Sequence, residues 1–336
     1  MTTPETGGAP APPISWSWHR ALAGALFALP AAAVALSDPS AGIPLAVGVL
    51  PAAILPMPPR RKARLIILIV GVLAGASLFV GGVLAHLPTW AAALLLAATV
   101  VAAAYLTTRV RAAQVLLVLG APLVAAGLSY DDYASSFSTF LLLSLGAAYA
   151  WLVSLAWPER EAVARPEAHL PLRRPMLDYG IRMGTAAGIA YLVTSGLGLD
   201  HPGWAPAACL LVARPQLDLL QSRGVGRVLA VIVGATAAAL TLQADPVNAL
   251  YALAALTILG AAAATAGSRW YITSGFTTYF VFLMLVRGHP DEAITKFNER
   301  IGETILGVAL AYVFGWLLPL TTSKRRTTSP MERASE

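Results

Sequence analysis

Charge is scarce in this chain of 336 residues: Asp, Glu, Lys and Arg together make up 12%, where a soluble domain carries about 25%. So few charges cannot cover a water-facing surface, which excludes an ordinary soluble domain. Cysteine is nearly absent as well. The lone Cys209 sits in an apolar run, which excludes an intrachain disulfide and a thiolate metal site. No Gly-x-x-x-x-Gly-Lys-Ser/Thr loop is present to cradle ATP phosphates, and neither a His-Glu-x-x-His helix nor a Gly-x-Ser-x-Gly elbow occurs. His, Asp and Glu hardly occur inside the apolar runs, so an intramembrane enzyme lacks its machinery. The chain reads as a non-enzyme with no cofactor and no metal.

What is there is greasy sequence: 57% of residues are hydrophobic. The net charge of +6 comes from short basic clusters between apolar runs rather than from a continuous basic face. That pattern serves orientation in a lipid bilayer and gives no nucleic-acid partner. Crossing a hydrocarbon core takes about 20 apolar residues as a helix. Runs between charged or Pro/Gly punctuation predict spans at 20–37, 42–57, 65–85, 89–107, 112–128, 137–157, 179–198, 203–214, 227–243, 247–266, 270–287 and 300–320. They lack the polar alternation of barrel strands, so the expected fold is an all-α polytopic membrane protein with about twelve transmembrane helices.

Charge asymmetry tests that count. Alternate loops carry Arg60, Arg61, Lys62 and Arg64, then Arg109 and Arg111, then Arg160, Arg165, Arg173 and Arg174, then Arg214 and Arg223, then Arg269, and finally the tail Lys324, Arg325 and Arg326. The intervening loops have no Lys or Arg, except the last, with Arg287, Lys296 and Arg300. The positive-inside rule then puts both termini in the cytoplasm of a multi-pass plasma-membrane protein.

The two halves also resemble each other. Arg20, Asp38 and Pro44 recur as Arg182, Asp200 and Pro206; Arg64 and Val70-Gly71 recur as Arg227 and Val233-Gly234; Leu145-Gly146 and Pro158 recur as Leu306-Gly307 and Pro319, always at an offset near 161. Each half has six spans and starts on the same side, so the repeats are parallel. The expected organisation is a disordered tail 1–18, repeats 19–158 and 178–320, a charged linker 159–177 and a basic tail 321–336. Arg20 followed by Ala21 to Leu36 has the outline of a secretory signal, but this segment is part of the repeat and is expected to remain.

The second helix of each repeat is compromised. Pro44, Pro51 and Pro56 interrupt the first, and the run from Gly203 to Val212, bracketed by Pro206 and Pro215, is about half a span. Paired short or proline-broken segments are the best pointer to a transporter's binding site, since unpaired backbone is tolerated only where it lines a cavity. A half-helix N-terminus suits an anion, and arginine suits a carboxylate. Candidate substrate-binding residues are therefore Arg182, Arg214, Arg227 and Arg20, with Trp204 and His201 from the turn ahead of the short helix. Headgroup anchoring is the alternative for Arg182 and Arg214, an interfacial belt for Trp204 and a plain loop role for His201; Arg223 and the Arg60 cluster read as anchors. Asp178, four residues before Arg182, is placed to pair with it. Glu303 and Glu299, at the start of the final span, join Asp178 as proton-coupling candidates. Their first-half equivalents are Leu142 and Ser138, so that role is confined to one half.

The stretch His201-Pro-Gly-Trp-Ala-Pro, then Ser222-Arg-Gly-Val-Gly-Arg-Val-Leu-Ala-Val-Ile-Val-Gly, and later Glu299-Arg-Ile-Gly-Glu-Thr-Ile-Leu-Gly, resembles the membrane module of the fusaric acid resistance or aromatic acid exporter family. Ala230-Val231 stand where that family usually has Gly-Thr, and the resemblance covers mainly 178 to 320. It implies export of small aromatic or other organic carboxylates, and kinship with plant aluminium-activated malate transporters, anion channels of paired six-helix units. Three functions stay open: an organic-anion exporter driven by the proton or electrochemical gradient, a passive anion channel, and a non-transporting membrane scaffold. The cargo's identity, homo-oligomerisation and the need for an adaptor subunit are not fixed by the sequence.

Overall fold

The structure, a computed structural model, describes residues 14–161, 170–214, 217–243, 247–286 and 293–318. Most of the first expected tail, all of the second and residues 162–169 of the linker, together with Pro215, Arg287 and Pro319, lie outside these residues. Among the described residues every regular element is helical. In chain order they are α1 (Trp18–Ser37), α2 (Pro39–Ile54), α3 (Leu65–Ala85, entered through the 3-10 turn Arg61–Arg64), α4 (Thr89–Thr107), α5 (Ala113–Gly127), α6 (Tyr133–Ser154), α7 (Arg173–Gly196), α8 (Trp204–Val212), α9 (Leu217–Gln243), α10 (Asn248–Ala264), α11 (Trp270–Val286) and α12 (Ala293–Tyr312, continued by the π turn Val313–Leu317).

Local chemistry sets several ends. Asp38 caps α2 by accepting from the Ser40 amide at 2.9 Å, with Pro39 in the first turn where its missing N–H costs nothing. Asp132 caps α6 through the Ser135 amide at 2.7 Å, and these bonds hold its carboxylate below the usual range. The π turn Leu116–Gly120 inside α5 directly precedes Pro122, whose ring supplies no N–H to the turn before it. Three helices of the second half start well before the apolar runs: α7 at 173 instead of 179, α9 at 217 instead of 227, and α12 at 293 instead of 300. Arg, Lys and Glu end a hydrophobic run but are good helix formers, so the helix continues through them. This also explains the broken charge alternation. Lys296 and Arg300 are helical residues of α12; Lys296 is ion-paired with Asp200, and Arg300 is buried.

Among the described residues six helices are long and apolar enough to cross a membrane: Trp18–Ser37, Arg61–Ala85, Thr89–Thr107, Tyr133–Ser154, Leu220–Gln243 and Ile294–Leu317. Their outward faces carry leucines such as Leu22, Leu94, Leu145 and Leu229, as expected where lipid is the solvent. Within each half α3 packs on α6 and α9 on α12; α2 packs on α6 and α8 on α12. Across the halves α1 packs on α10 and α4 on α7. Two large apolar cores result, one drawing on α1, α2, α9, α10 and α11, the other mainly on α3, α4, α5, α7 and α8. Alanine dominates both, because small side chains let membrane helices approach closely and gain dispersion contact.

Arg64, expected with its neighbours among the headgroup anchors, is instead 1% exposed. Its guanidinium donates to the carbonyls of Pro58 (3.1 Å), Ser154 (2.5 Å), Trp157 (2.9 Å) and Pro158 (2.9 Å), tying the α2–α3 connection to the end of α6. Arg60, Arg61 and Lys62 remain exposed.

Close backbone approach is required at Gly146 and at Gly307. A Cβ on Gly146 would lie 2.3 Å from the Leu45 carbonyl of α2, and one on Gly307 2.3 Å from the Ala205 carbonyl of α8. Neither neighbour can yield, being helix backbone. Gly146→Ala and Gly307→Ala should each cost about 1–3 kcal/mol, whereas Gly302→Ala, with open space around it, should stay within about 1 kcal/mol of the parent. Thermal melting of the detergent-solubilised variants measures this, and a parental melting temperature for the first two would disprove the tight α2–α6 and α8–α12 contacts.

Candidate functional site

The site grows from the turn between α7 and α8. Thr194 Oγ1 donates to the Pro202 carbonyl at 2.7 Å, the Gly203 amide donates to Ser129 Oγ at 3.0 Å, and the Trp204 amide donates to the His201 carbonyl at 3.1 Å. These bonds fix the point at which the chain re-enters the protein. Helix α8 then runs for nine residues, about 13 Å at 1.5 Å per residue. That is under half of a hydrocarbon core of about 30 Å. Ala205 to Leu210 and Val212 are all buried, so this helix ends inside protein. At Ala213 the chain turns extended, and Arg214 Nη1 donates back to the Ala213 carbonyl at 2.5 Å.

Around the start of α8 the structure gathers charge. The Arg300 guanidinium of α12 lies 3.8 Å from the centroid of the Trp204 ring, a cation–π contact strengthened by burial. Arg300 and Glu303 are each 3% exposed and Arg227 of α9 is 6% exposed. Arg227 Nη1 donates to Ser274 Oγ of α11 at 2.7 Å. Arg227 and Glu303 both lie within electrostatic reach of Arg300, and Glu299 within reach of Glu303. Among the described residues no hydrogen-bond partner meets Arg227 Nε, Arg300 Nη1, Glu299 Oε2, Glu303 Oε1, Trp204 Nε1 or His201 Nδ1. Buried polar groups are normally satisfied, and isolated orphans need an explanation. Six in one neighbourhood, with two guanidinium donors among them, make a buried charged cluster whose chemistry suits a polar ligand.

The sequence-derived candidates thus divide into three places. Arg227, Trp204, His201, Glu303 and Glu299 meet in this cluster around Arg300. Arg182, Arg214 and Asp178 lie toward the other end of α8, where Arg182, Arg214 and Arg223 are within electrostatic reach of Tyr179. Arg182 Nη1 donates to the Phe314 carbonyl, and its Nε donates to the main-chain carbonyl of Asp178, each at 3.2 Å, so the expected i−4 contact is made through backbone. Arg20 is in the first half, lining a separate cavity of about 220 Å³ with His19, Phe27, Trp157 and Arg160. Arg300 is the residue that sequence reasoning left without a binding role. Its signal was the exception it made to the charge alternation.

His201 lies outside the helices, and burial holds its pKa below the ordinary 6.5, Arg300 acting in the same direction and Asp131 against it. The unfolded chain therefore takes up this proton more readily than the folded one. The associated stability is full above pH 6.5 and is lost as pH falls below it toward the folded pKa. Melting temperature should drop across that window, and His201→Asn should flatten the drop; an identical profile in the variant would remove His201 from the cluster's electrostatics.

No curated protein sequence and no solved structure matches the chain. The family model described as fusaric acid resistance protein-like matches residues 186–314, from within α7 to within the π turn that continues α12.

Proposed function

We propose that this protein is a twelve-span membrane transporter that exports small organic anions, aromatic or other weak carboxylic acids, through its second half. The observation that carries this reading is the pair of buried arginines, Arg227 and Arg300, each with an unpartnered donor, beside Trp204 at the mouth of a helix too short to cross. Arginine donors bind a carboxylate with charge-assisted hydrogen bonds, and the indole offers a flat apolar face to an aromatic body. Arg182, Arg214 and Arg223 form the cytoplasmic approach. The fusaric acid resistance description of the matching family agrees with a cargo of this class.

The architecture we propose is two parallel six-helix repeats, 19–158 and 178–320, with both termini cytoplasmic. Equivalent helix pairs support it: α1 meets α10 as α7 meets α4, and α2 meets α6 as α8 meets α12. Gly146 and Gly307 support it too, since each admits the carbonyl of the matching interrupted helix.

Coupling rests on charge balance. Two arginines and two glutamates offset one another in the cluster; a proton carried inward on Glu303 leaves it net positive toward the cytoplasm and ready for an anion, and is given up there before the anion moves out, so that one proton enters for each anion that leaves. Outward movement of that anion is further favoured by an inside-negative potential, by about 2.3 kcal/mol per 100 mV. In proteoliposomes an imposed pH gradient should drive benzoate uphill. Arg227→Gln and Arg300→Gln should each slow it at least tenfold, as loss of a charged hydrogen bond worth about 1.5–3 kcal/mol requires. Glu303→Gln should keep downhill flux and lose the response to pH. Flux that follows only the electrochemical gradient in the parent protein would convert the reading to a channel, and no flux of any aromatic carboxylate would leave a scaffold.

A further inference from the structure

A second cavity, of about 290 Å³, lies at the end of the bundle that carries the Ser37–Asp38 and Leu199–Gly203 turns. The two interrupted helices meet there: Ser40 and Pro44 of α2 on one side, Trp204 of α8 on the other. Its polar lining includes Asp131, Asp132 and Thr139, the last accepting from the Tyr130 hydroxyl at 3.1 Å. Arg300, Glu299 and Glu303 do not border it. Trp204 therefore links the cavity to the charged cluster, lining the first while its ring carries Arg300 of the second at 3.8 Å.

Resting on the anion-export reading, we propose that this cavity is the exit vestibule of the route and that Trp204, clamped by Arg300, is its closed outer gate. A guanidinium that stacks on an indole and one that donates to a carboxylate use the same cation, so the two contacts compete. Cargo reaching Arg300 weakens the hold on the ring and frees Trp204 to move. Arrival of the anion is thereby the signal that opens the gate. Beyond the indole the anion meets Asp131 and Asp132, both exposed. Their charge disfavours its residence and its return, so the vestibule releases cargo rather than binding it. The unpartnered Trp204 Nε1 agrees with a ring held by its face and not by a hydrogen bond.

The test uses the full chain with its one cysteine removed (Cys209→Ala) and a single reporter, Thr139→Cys inside the vestibule or Ser274→Cys beside Arg227. An anionic, membrane-impermeant methanethiosulfonate is applied to intact cells, and benzoate flux is followed in proteoliposomes. Thr139→Cys should label, and Ser274→Cys should not. Adding Trp204→Ala should expose Ser274→Cys at least tenfold faster and give a pH-independent benzoate leak, whereas Trp204→Phe, which keeps a ring for Arg300, should stay sealed. Monodisperse elution and an unchanged melting temperature establish that the variants are folded. Unchanged Ser274→Cys labelling in Trp204→Ala overturns the gate, and does so whether or not benzoate moves. Uphill flux that persists in the parent in that case leaves the export reading standing, whereas labelling that responds without any flux of aromatic carboxylates refutes that reading and with it the vestibule as an anion exit.

Discussion

Hydrocarbon offers no hydrogen bonds, and that constraint governs the whole molecule. Each backbone N–H and C=O at membrane depth must be satisfied within the protein, so a helix may end there only where other helices enclose it. Helix α8 ends in this way, nine residues after Trp204 and buried along nearly its whole length. Everything placed around it follows from the need to enclose it: α12 packed close through Gly307, α5 against its start, and the Arg214 side chain on the carbonyl of Ala213. A break that costs so much enclosure opens room that an unbroken helix would fill.

Two equivalent arginines show how burial separates structure from function. Arg64 and Arg227 occupy matching positions in the two halves, and both are buried. Arg64 spends its donors on four carbonyls and acts as a staple between the α2–α3 connection and the end of α6. Arg227 makes one bond, to Ser274, and its Nε is left without a partner among the described residues. Satisfied charge holds a fold together, whereas unsatisfied buried charge is tolerated where something arrives to meet it.

Much of this was legible in the sequence. Apolar runs gave the helices, the turn at His201 to Gly203 announced the short α8, and Arg227, Trp204 and Glu303 were selected from their neighbourhoods. What stayed hidden depends on distance across the fold. In sequence a charge marks the edge of an apolar run, whereas α7, α9 and α12 begin before that edge, and Arg300, a loop residue by charge pattern, is a helical residue buried against Trp204. Arg64 was indistinguishable from Arg60 to Lys62, because only the folded chain brings the Ser154 and Trp157 carbonyls to it. Arg20 matched Arg182 by offset, yet the two line different spaces.

The same offset explains why one half alone carries the charged cluster. Stepping back 161 residues from Arg300, Glu303 and Glu299 gives Thr139, Leu142 and Ser138. The first half therefore has no cation at the position where the second half stacks one on Trp204, and no acid one turn deeper. Thr139 lines the outer cavity instead, bonded to Tyr130. The two halves thus differ at these positions, the second supplying Arg300 and the glutamates and the first supplying Thr139, with Asp131 and Asp132, to the cavity next to them. In the proposed route the arginines and glutamates lie on one side of Trp204 and the aspartates on the other, and an arginine at position 139 would place a cation inside the cavity and remove that difference.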